Sequence, residues 1–151
     1  KELHRLGYLF QLYLLGDGVN RTKLETLRDE LGLTSSIHFE GNVDFPENYL
    51  HEATVYLHTA TYEPFGLVLL EAMAAGVPIV CTDGKGNRDI IDNNVNGIID
   101  SSFNPKVLAE HIIDLLSNQK KRDELVENAK IFCQKYGIKE YVKKLVEIYK
   151  H

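Results

Sequence analysis

Basic residues are in short supply: 17 Lys and Arg stand against 22 Asp and Glu, giving a net charge of -5 and a sequence pI near 5.7. That balance excludes nucleic acid as the main partner, because a phosphate backbone demands a basic excess. A small phosphorylated ligand, which needs only local donors, remains open. The only two cysteines, Cys81 and Cys133, match no metal-ligand spacing, and reduced thiols are expected. His4, His38, His51, His111 and His151 form no such spacing either, so no metal is expected. No apolar run reaches 18 residues, so no membrane-spanning helix is expected, and no signal peptide is expected either. Repeats, low-complexity tracts and linkers are lacking as well. What is present is 44% hydrophobic and 26% charged residues, ordinary for one globular domain of 151 residues. The chain opens on Lys1 and helix-like sequence (Leu3, Leu6), so residues 1–151 are expected to be a single domain cut at its N-terminal edge from a longer protein.

Hydrophobic period and punctuation then alternate strand and helix. Strands are predicted at Phe10–Leu15, Ile37–Glu40, Val55–His58, Val77–Cys81 and Gly97–Ile99. Helices are predicted at Arg21–Leu31, Pro46–Ala53, Leu67–Ala75, a short turn through Ile91, and three more after Asn104, at Pro105–Leu116, Lys121–Lys135 and Lys139–Tyr149. Strands separated by single helices point to a parallel sheet covered on both faces. Leu12–Leu15 and Val77–Cys81 read as continuous apolar runs, as strands buried on both faces should. Ligands of such sheets sit beyond the carboxyl ends of the strands. The loops to search are Gly16–Asn20, Gly41–Phe45, Thr59–Gly66 and Thr82–Arg88.

The third of these loops carries the chemistry. Glu63-Pro64-Phe65-Gly66 leads into the helix Leu67–Ala75, which holds Glu71 and ends at Gly76. Pro64 biases Glu63 toward extended backbone, which keeps it in the loop. Gly66 permits close approach of a ligand, and the amides of Leu67 and Val68 leave the first turn with no intrahelical partner, a cradle for a diphosphate. Glu71 lies one turn beyond Leu67 on the same face, placed to accept from a ribose diol. Glu63 would sit further along the ligand, near a transferred sugar. Spacing alone fits a buried crossover helix with a solvated Glu equally well; the Pro-Phe-Gly turn, the helix and the following strand together are far more specific.

The stretch Glu63–Cys81 resembles the signature of the retaining glycosyltransferases of family four, the group 1 glycosyltransferases. Leu14-Leu15-Gly16-Asp17-Gly18, Ile37–Val43, Gly86–Ile91 and Asn96-Gly97 are similar to further segments of that family's C-terminal domain. The resemblance implies a Rossmann-like α/β domain with a parallel sheet and helices on both faces, the C-terminal half of a two-domain glycosyltransferase B fold. It implies that Glu71 binds the ribose hydroxyls and that Glu63, the catalytic candidate, contacts the donor sugar. Phe65, Gly66 and Leu67 would hold the sugar, Leu67-Val68 the phosphate, Gly16 would leave room for the diphosphate, and Asn42-Val43 would lie against the base. The implied function is donor binding for hexosyl transfer from a nucleotide-diphosphate sugar to a hydroxyl, without a metal, in polysaccharide or glycolipid synthesis.

Two departures are small: Thr59-Ala60 replace a usual Pro-Ser, and Asp89 stands where Glu is frequent. A larger one is that the family's diphosphate-neutralising Arg and Lys lie upstream of Lys1, as does the acceptor domain, the expected partner. The chain alone is therefore expected to be inactive. Lys85 and Arg88 are the local candidates for the diphosphate, whereas Arg21 and Lys23 read as solvated charges and His58 as a core or rim histidine. Tyr141, Leu145, Ile148 and Tyr149 are expected to pack on their own domain. A cytoplasmic location is expected, with contact of the full-length protein at the inner face of the membrane left open. A sugar-nucleotide epimerase half-domain and a non-catalytic nucleotide-binding module are the alternatives.

Overall fold

The computed structural model describes residues 1–150; His151, counted above among the histidines, lies outside the described residues. The chain divides into two compact units, Lys1–Tyr49 and Leu50–His151. Among the described residues no helix is long and apolar enough to cross a membrane.

The first unit contains α1 (Glu2–Arg5), β1 (Leu12–Leu15), α2 (Arg21–Glu30) and β2 (Ile37–Gly41), and enters α3 (Pro46–Glu52) at its end. β1 and β2 run parallel, Leu12 opposite Ile37 and Leu14 opposite Phe39, and a register shift after Leu14 sets Leu15 against Gly41. The reading of β1 as buried on both faces is corrected here. Leu12 and Leu14 are half-buried, while Tyr13 and Leu15 on the opposite face are exposed. An unbroken apolar run records side-chain chemistry but not what covers it. On this face Tyr13 stacks on His38 at 5.0 Å and meets Tyr49 at 5.7 Å, an aromatic layer left open to water.

The second unit is a three-layer arrangement around β3 (Tyr56–His58), β4 (Ile79–Thr82) and β5 (Ile98–Asp100), parallel in the order β3-β4-β5. β4 lies in the middle and is buried along its whole length, as its continuous apolar run predicts. Strand alternation splits its side chains between two cores. Ile79 and Cys81 join Leu69, Ala72 and Met73 of α4 (Leu67–Ala75), with Ile90 of α5 (Asn87–Ile90). Val80 joins Ile98, Leu108 and Leu115 of α6 (Pro105–Ser117). α7 (Gln119–Cys133) closes both, with Ala129 in the first core and Leu125 in the second. Each fully buried Leu, Ile or Met contributes about 2 kcal/mol.

Helix boundaries follow the punctuation. Gly66 and Gly76 flank α4 in left-handed conformation, φ 92° and 76°, which side chains adopt only with strain. Asn104 starts α6, its carboxamide accepting from the Lys106 amide at 3.0 Å, with Pro105 at the first helical position. After a 3-10 turn, Gln134–Tyr136, the chain ends in α8 (Ile138–Tyr149). The expectation that α8 packs on its own domain is corrected for three of the four residues named: Tyr141, Ile148 and Tyr149 are exposed, Tyr149 at 85%, while Leu145 is half-buried and no residue of the helix is fully buried. Its apolar period is real, but amphipathicity does not name the surface that covers it.

Candidate functional site

The carboxyl ends of β3 and β4 are tied together by their own loops. Thr82 Oγ1 donates to the Ala60 carbonyl at 2.7 Å, and Asn87, fully buried, donates its side-chain amide to the Thr82 carbonyl at 2.7 Å. The Glu63 backbone then pairs with the loop after β4: its N–H donates to Gly84 O at 2.7 Å and its carbonyl accepts from Gly86 N at 2.9 Å. Both glycines are there for close approach. A methyl group on Gly84 would lie 2.8 Å from Ala60 O, and one on Gly86 would lie 2.8 Å from Pro64 O and closer still to Glu63 O. Sequence reading took this loop as a phosphate-side loop; its glycines first let it stack on Glu63-Pro64.

Glu63 is thus fixed by its backbone, and its side chain turns back over the helix start. Oε1 accepts from the Gly66 amide at 2.9 Å and from the Phe65 amide at 3.3 Å. A carboxylate there complements the positive end of α4. Oε2 lies 3.5 Å from His58 Nε2. With Gly66 N–H satisfied by Glu63, the first-turn amides of Leu67 and Val68 have no intrahelical carbonyl to bond. Leu67, Val68 and Glu71 are all exposed on the outer side of α4, while Leu69, Leu70, Ala72 and Met73 face the core. The expected placement of Glu71 one turn inward on the same exposed side therefore stands, and Glu63, Phe65, Gly66, Leu67, Val68, Glu71, Lys85 and Arg88 all belong to the second unit. Gly16, Asn42 and Val43 belong to the first: Gly16 has φ 104° and donates to Gly41 O at 2.6 Å, Asn42 is exposed and Val43 half-buried.

The local cations are already engaged. Arg88 forms a two-pronged pair with Asp83, which holds that carboxyl below the usual carboxylate range. Lys85, at positive φ of 64°, sets its Nζ 5.7 Å over the Tyr62 ring. In the first unit Arg21 donates to Glu25 at 2.9 Å and to Phe39 O at 3.0 Å, more a clamp between α2 and β2 than a solvated charge. Among the described residues no group of three or more His, Cys, Asp or Glu side chains is placed to hold a metal.

Tyr56 was not singled out from sequence, and His58, read there as a core or rim histidine, has a side chain 15% exposed at the end of β3. Tyr56 and His58, two apart on β3, stack their rings at 6.2 Å on the α4 side. Burial, then the charges of Glu71 and Glu63, push the Tyr56 hydroxyl up to about 12. Burial pushes His58 down against the opposing pull of Glu63. The signal available was position: a polar residue closing a parallel strand sits where such sheets bind ligands. Because the folded state disfavours His58 protonation, its neutral form's contribution is complete above the unfolded histidine pKa, near 6.5, and is lost as pH falls through the depressed folded value. Urea unfolding midpoints are expected to drop on the acid side of that window and to drop less in His58→Gln; equal slopes would remove His58 from the explanation.

The comparisons agree with one another. The family model for glycosyl transferases group 1 matches residues 1–132. An uncharacterized glycosyltransferase of Methanocaldococcus jannaschii is 37% identical over 93% of this chain and 37% of its own length. The lipopolysaccharide core biosynthesis glycosyltransferase LpsE of Rhizobium meliloti is 30% identical over 77% of this chain and 34% of its own. The chain thus spans little more than a third of these relatives. Among solved structures, WaaG, a glycosyltransferase involved in lipopolysaccharide biosynthesis, superposes with TM-score 0.73 at 30% identity, covering 82% of this chain and 34% of that one. HepE of Anabaena in complex with UDP-glucose superposes with TM-score 0.85 at 25% identity, covering 93% and 40%.

Proposed function

Because the chain belongs to the group 1 glycosyl transferases, we propose that it is the donor-binding half of a retaining enzyme that moves a hexosyl group from a nucleotide-diphosphate sugar to a hydroxyl acceptor. The observation that carries this reading is the Glu63 turn. One carboxylate is fixed at the mouth of α4, the first-turn amides of the exposed residues Leu67 and Val68 follow, and Glu71 stands one turn further along the same side. A diphosphate on the two amides would leave the ribose beside Glu71 and the sugar beside Glu63. Glu63 would face the positive charge that develops at the anomeric carbon, electrostatic stabilisation by a group already in place. The HepE complex with UDP-glucose supports a nucleotide-sugar donor. LpsE and the poly(glycerol-phosphate) alpha-glucosyltransferase of Bacillus subtilis, 26% identical, support a setting in polysaccharide or glycolipid assembly. No step of this reading uses a metal.

Titration calorimetry with UDP, GDP and ADP, on the parent chain and on Glu71→Ala, tests the reading. One nucleotide is expected to bind, and loss of the Glu71 carboxylate should weaken it about 10- to 100-fold, the worth of a charged hydrogen bond. Unfolding free energy should stay within about 0.5 kcal/mol, since Glu71 is exposed. Failure of all three nucleotides to bind, or undiminished affinity in the variant, would reject it.

A further inference from the structure

His58 is a titratable group beside the site, its Nε2 buried, to which the proposed reaction gives no task. It closes β3 five residues before Glu63, and its side chain is 15% exposed. Its Nε2 is buried with no hydrogen-bond partner, a costly arrangement for a ring nitrogen. Glu63 Oε2 is 3.5 Å from it, while Oε1 of the same carboxylate is already taken by the Gly66 and Phe65 amides. The carboxylate therefore has one anchored oxygen and one oxygen directed at an imidazole nitrogen that lacks a partner.

We propose that His58 is a positioning residue for Glu63: its Nε2–H holds Oε2, so that the carboxylate is fixed between imidazole and turn amides in the orientation that meets the donor sugar. This rests on the reading of Glu63 given above. The groups around the imidazole agree with a neutral ring. Tyr56 stacks on it from the same strand and keeps its proton, Cys81 stands opposite on β4 with its thiol pushed up to about 12 by burial, and among the described residues Glu63 is the carboxylate that meets the ring. Glu71 bears on Tyr56 from α4. Burial favours the neutral imidazole, and with its single proton on Nε2 that nitrogen is a donor. A second proton, taken up at Nδ1 on the acid side, turns the contact into an ion pair. It then draws the carboxylate off the Gly66 and Phe65 amides, and the sugar-facing orientation is lost.

The test uses the intact chain with two substitutions. His58→Gln keeps a donor near the Nε2 position and cannot titrate; His58→Leu keeps bulk and removes the donor. In NMR titrations from pH 5 to 8, the Phe65 and Gly66 amide signals of the parent are expected to follow the His58 imidazole, and to stay flat in His58→Gln. Amides that do not move with His58 in the parent overturn the proposal, with or without a nucleotide. In calorimetry with UDP and UDP-glucose, His58→Leu is expected to lose about tenfold in affinity for UDP-glucose relative to UDP, the scale of one hydrogen bond to a charged group. His58→Gln should restore it. Equal losses for UDP and UDP-glucose mark a merely structural histidine and overturn the positioning role. If His58→Leu keeps the sugar increment while Glu63→Ala loses it, His58 is idle and the function of the site stands. If Glu63→Ala keeps the increment too, the reading of Glu63 itself falls, and the proposal with it. Should His58→Leu not fold, the parent and His58→Gln titrations decide alone.

Discussion

Replacing Gly86 with alanine is expected to lower unfolding free energy by about 3 kcal/mol, although nothing in its own backbone forbids a side chain. Gly86 has φ -61° and ψ -21°, ordinary right-handed geometry. At such a position Gly→Ala by itself stabilises by about 0.4–1 kcal/mol, through loss of unfolded-chain entropy. Here the new methyl would fall against the carbonyl oxygens of Glu63 and Pro64, which are backbone atoms and cannot swing aside. Overpacking of this kind costs about 1–3 kcal/mol, and forcing the loops apart also loses the Gly86 N–H to Glu63 O bond, worth about 1 kcal/mol. The clash outweighs the entropy gain. Urea unfolding should show a lower midpoint at unchanged slope, and nucleotide affinity should fall with it because the Glu63 turn is displaced. A variant as stable as the parent would mean that the 84–86 loop does not brace that turn.

The helix Leu67–Ala75 was legible to the residue, because glycines at positive φ bound it and an apolar run fills it. β4 was legible because Ile79–Thr82 is apolar almost throughout and buried on both sides. The two carboxylates were legible because their spacing is local to one turn and one helix. The bracing of Glu63 by Gly84 and Gly86 was not, since it joins loops some twenty residues apart and leaves no period. The approach of His58 to Glu63 was not legible for the same reason: it is made across a turn, and no repeat pairs position 58 with 63. Burial was misjudged at Tyr13, Leu15 and along α8, because a pattern identifies an apolar face without identifying its cover.

In the full-length protein, Glu63→Gln is expected to reduce turnover by about 10²–10³, or roughly 3–4 kcal/mol of transition-state stabilisation, with a small change in donor KM. Glu63 has two separable tasks. Its cap on the Gly66 and Phe65 amides needs only an acceptor oxygen, which the carboxamide keeps. Facing positive charge at the anomeric carbon needs the negative charge, which the carboxamide loses. Fold and donor affinity should thus survive while the chemical step slows, the signature of a contact made mainly in the transition state. Glu63→Ala should be worse in a different way, since it also uncaps the turn, and about 1 kcal/mol of stability should go with it. In the proposed reaction a leaving diphosphate would set the other half of the barrier. Arg88 is paired with Asp83 and so is partly neutralised before any donor arrives, while Lys85 is held over the Tyr62 ring. Sugar transfer by residues 1–151 alone should accordingly be undetectable, even where the nucleotide binds. Measured turnover by the chain alone, or an unslowed Glu63→Gln enzyme, would place the reacting centre elsewhere.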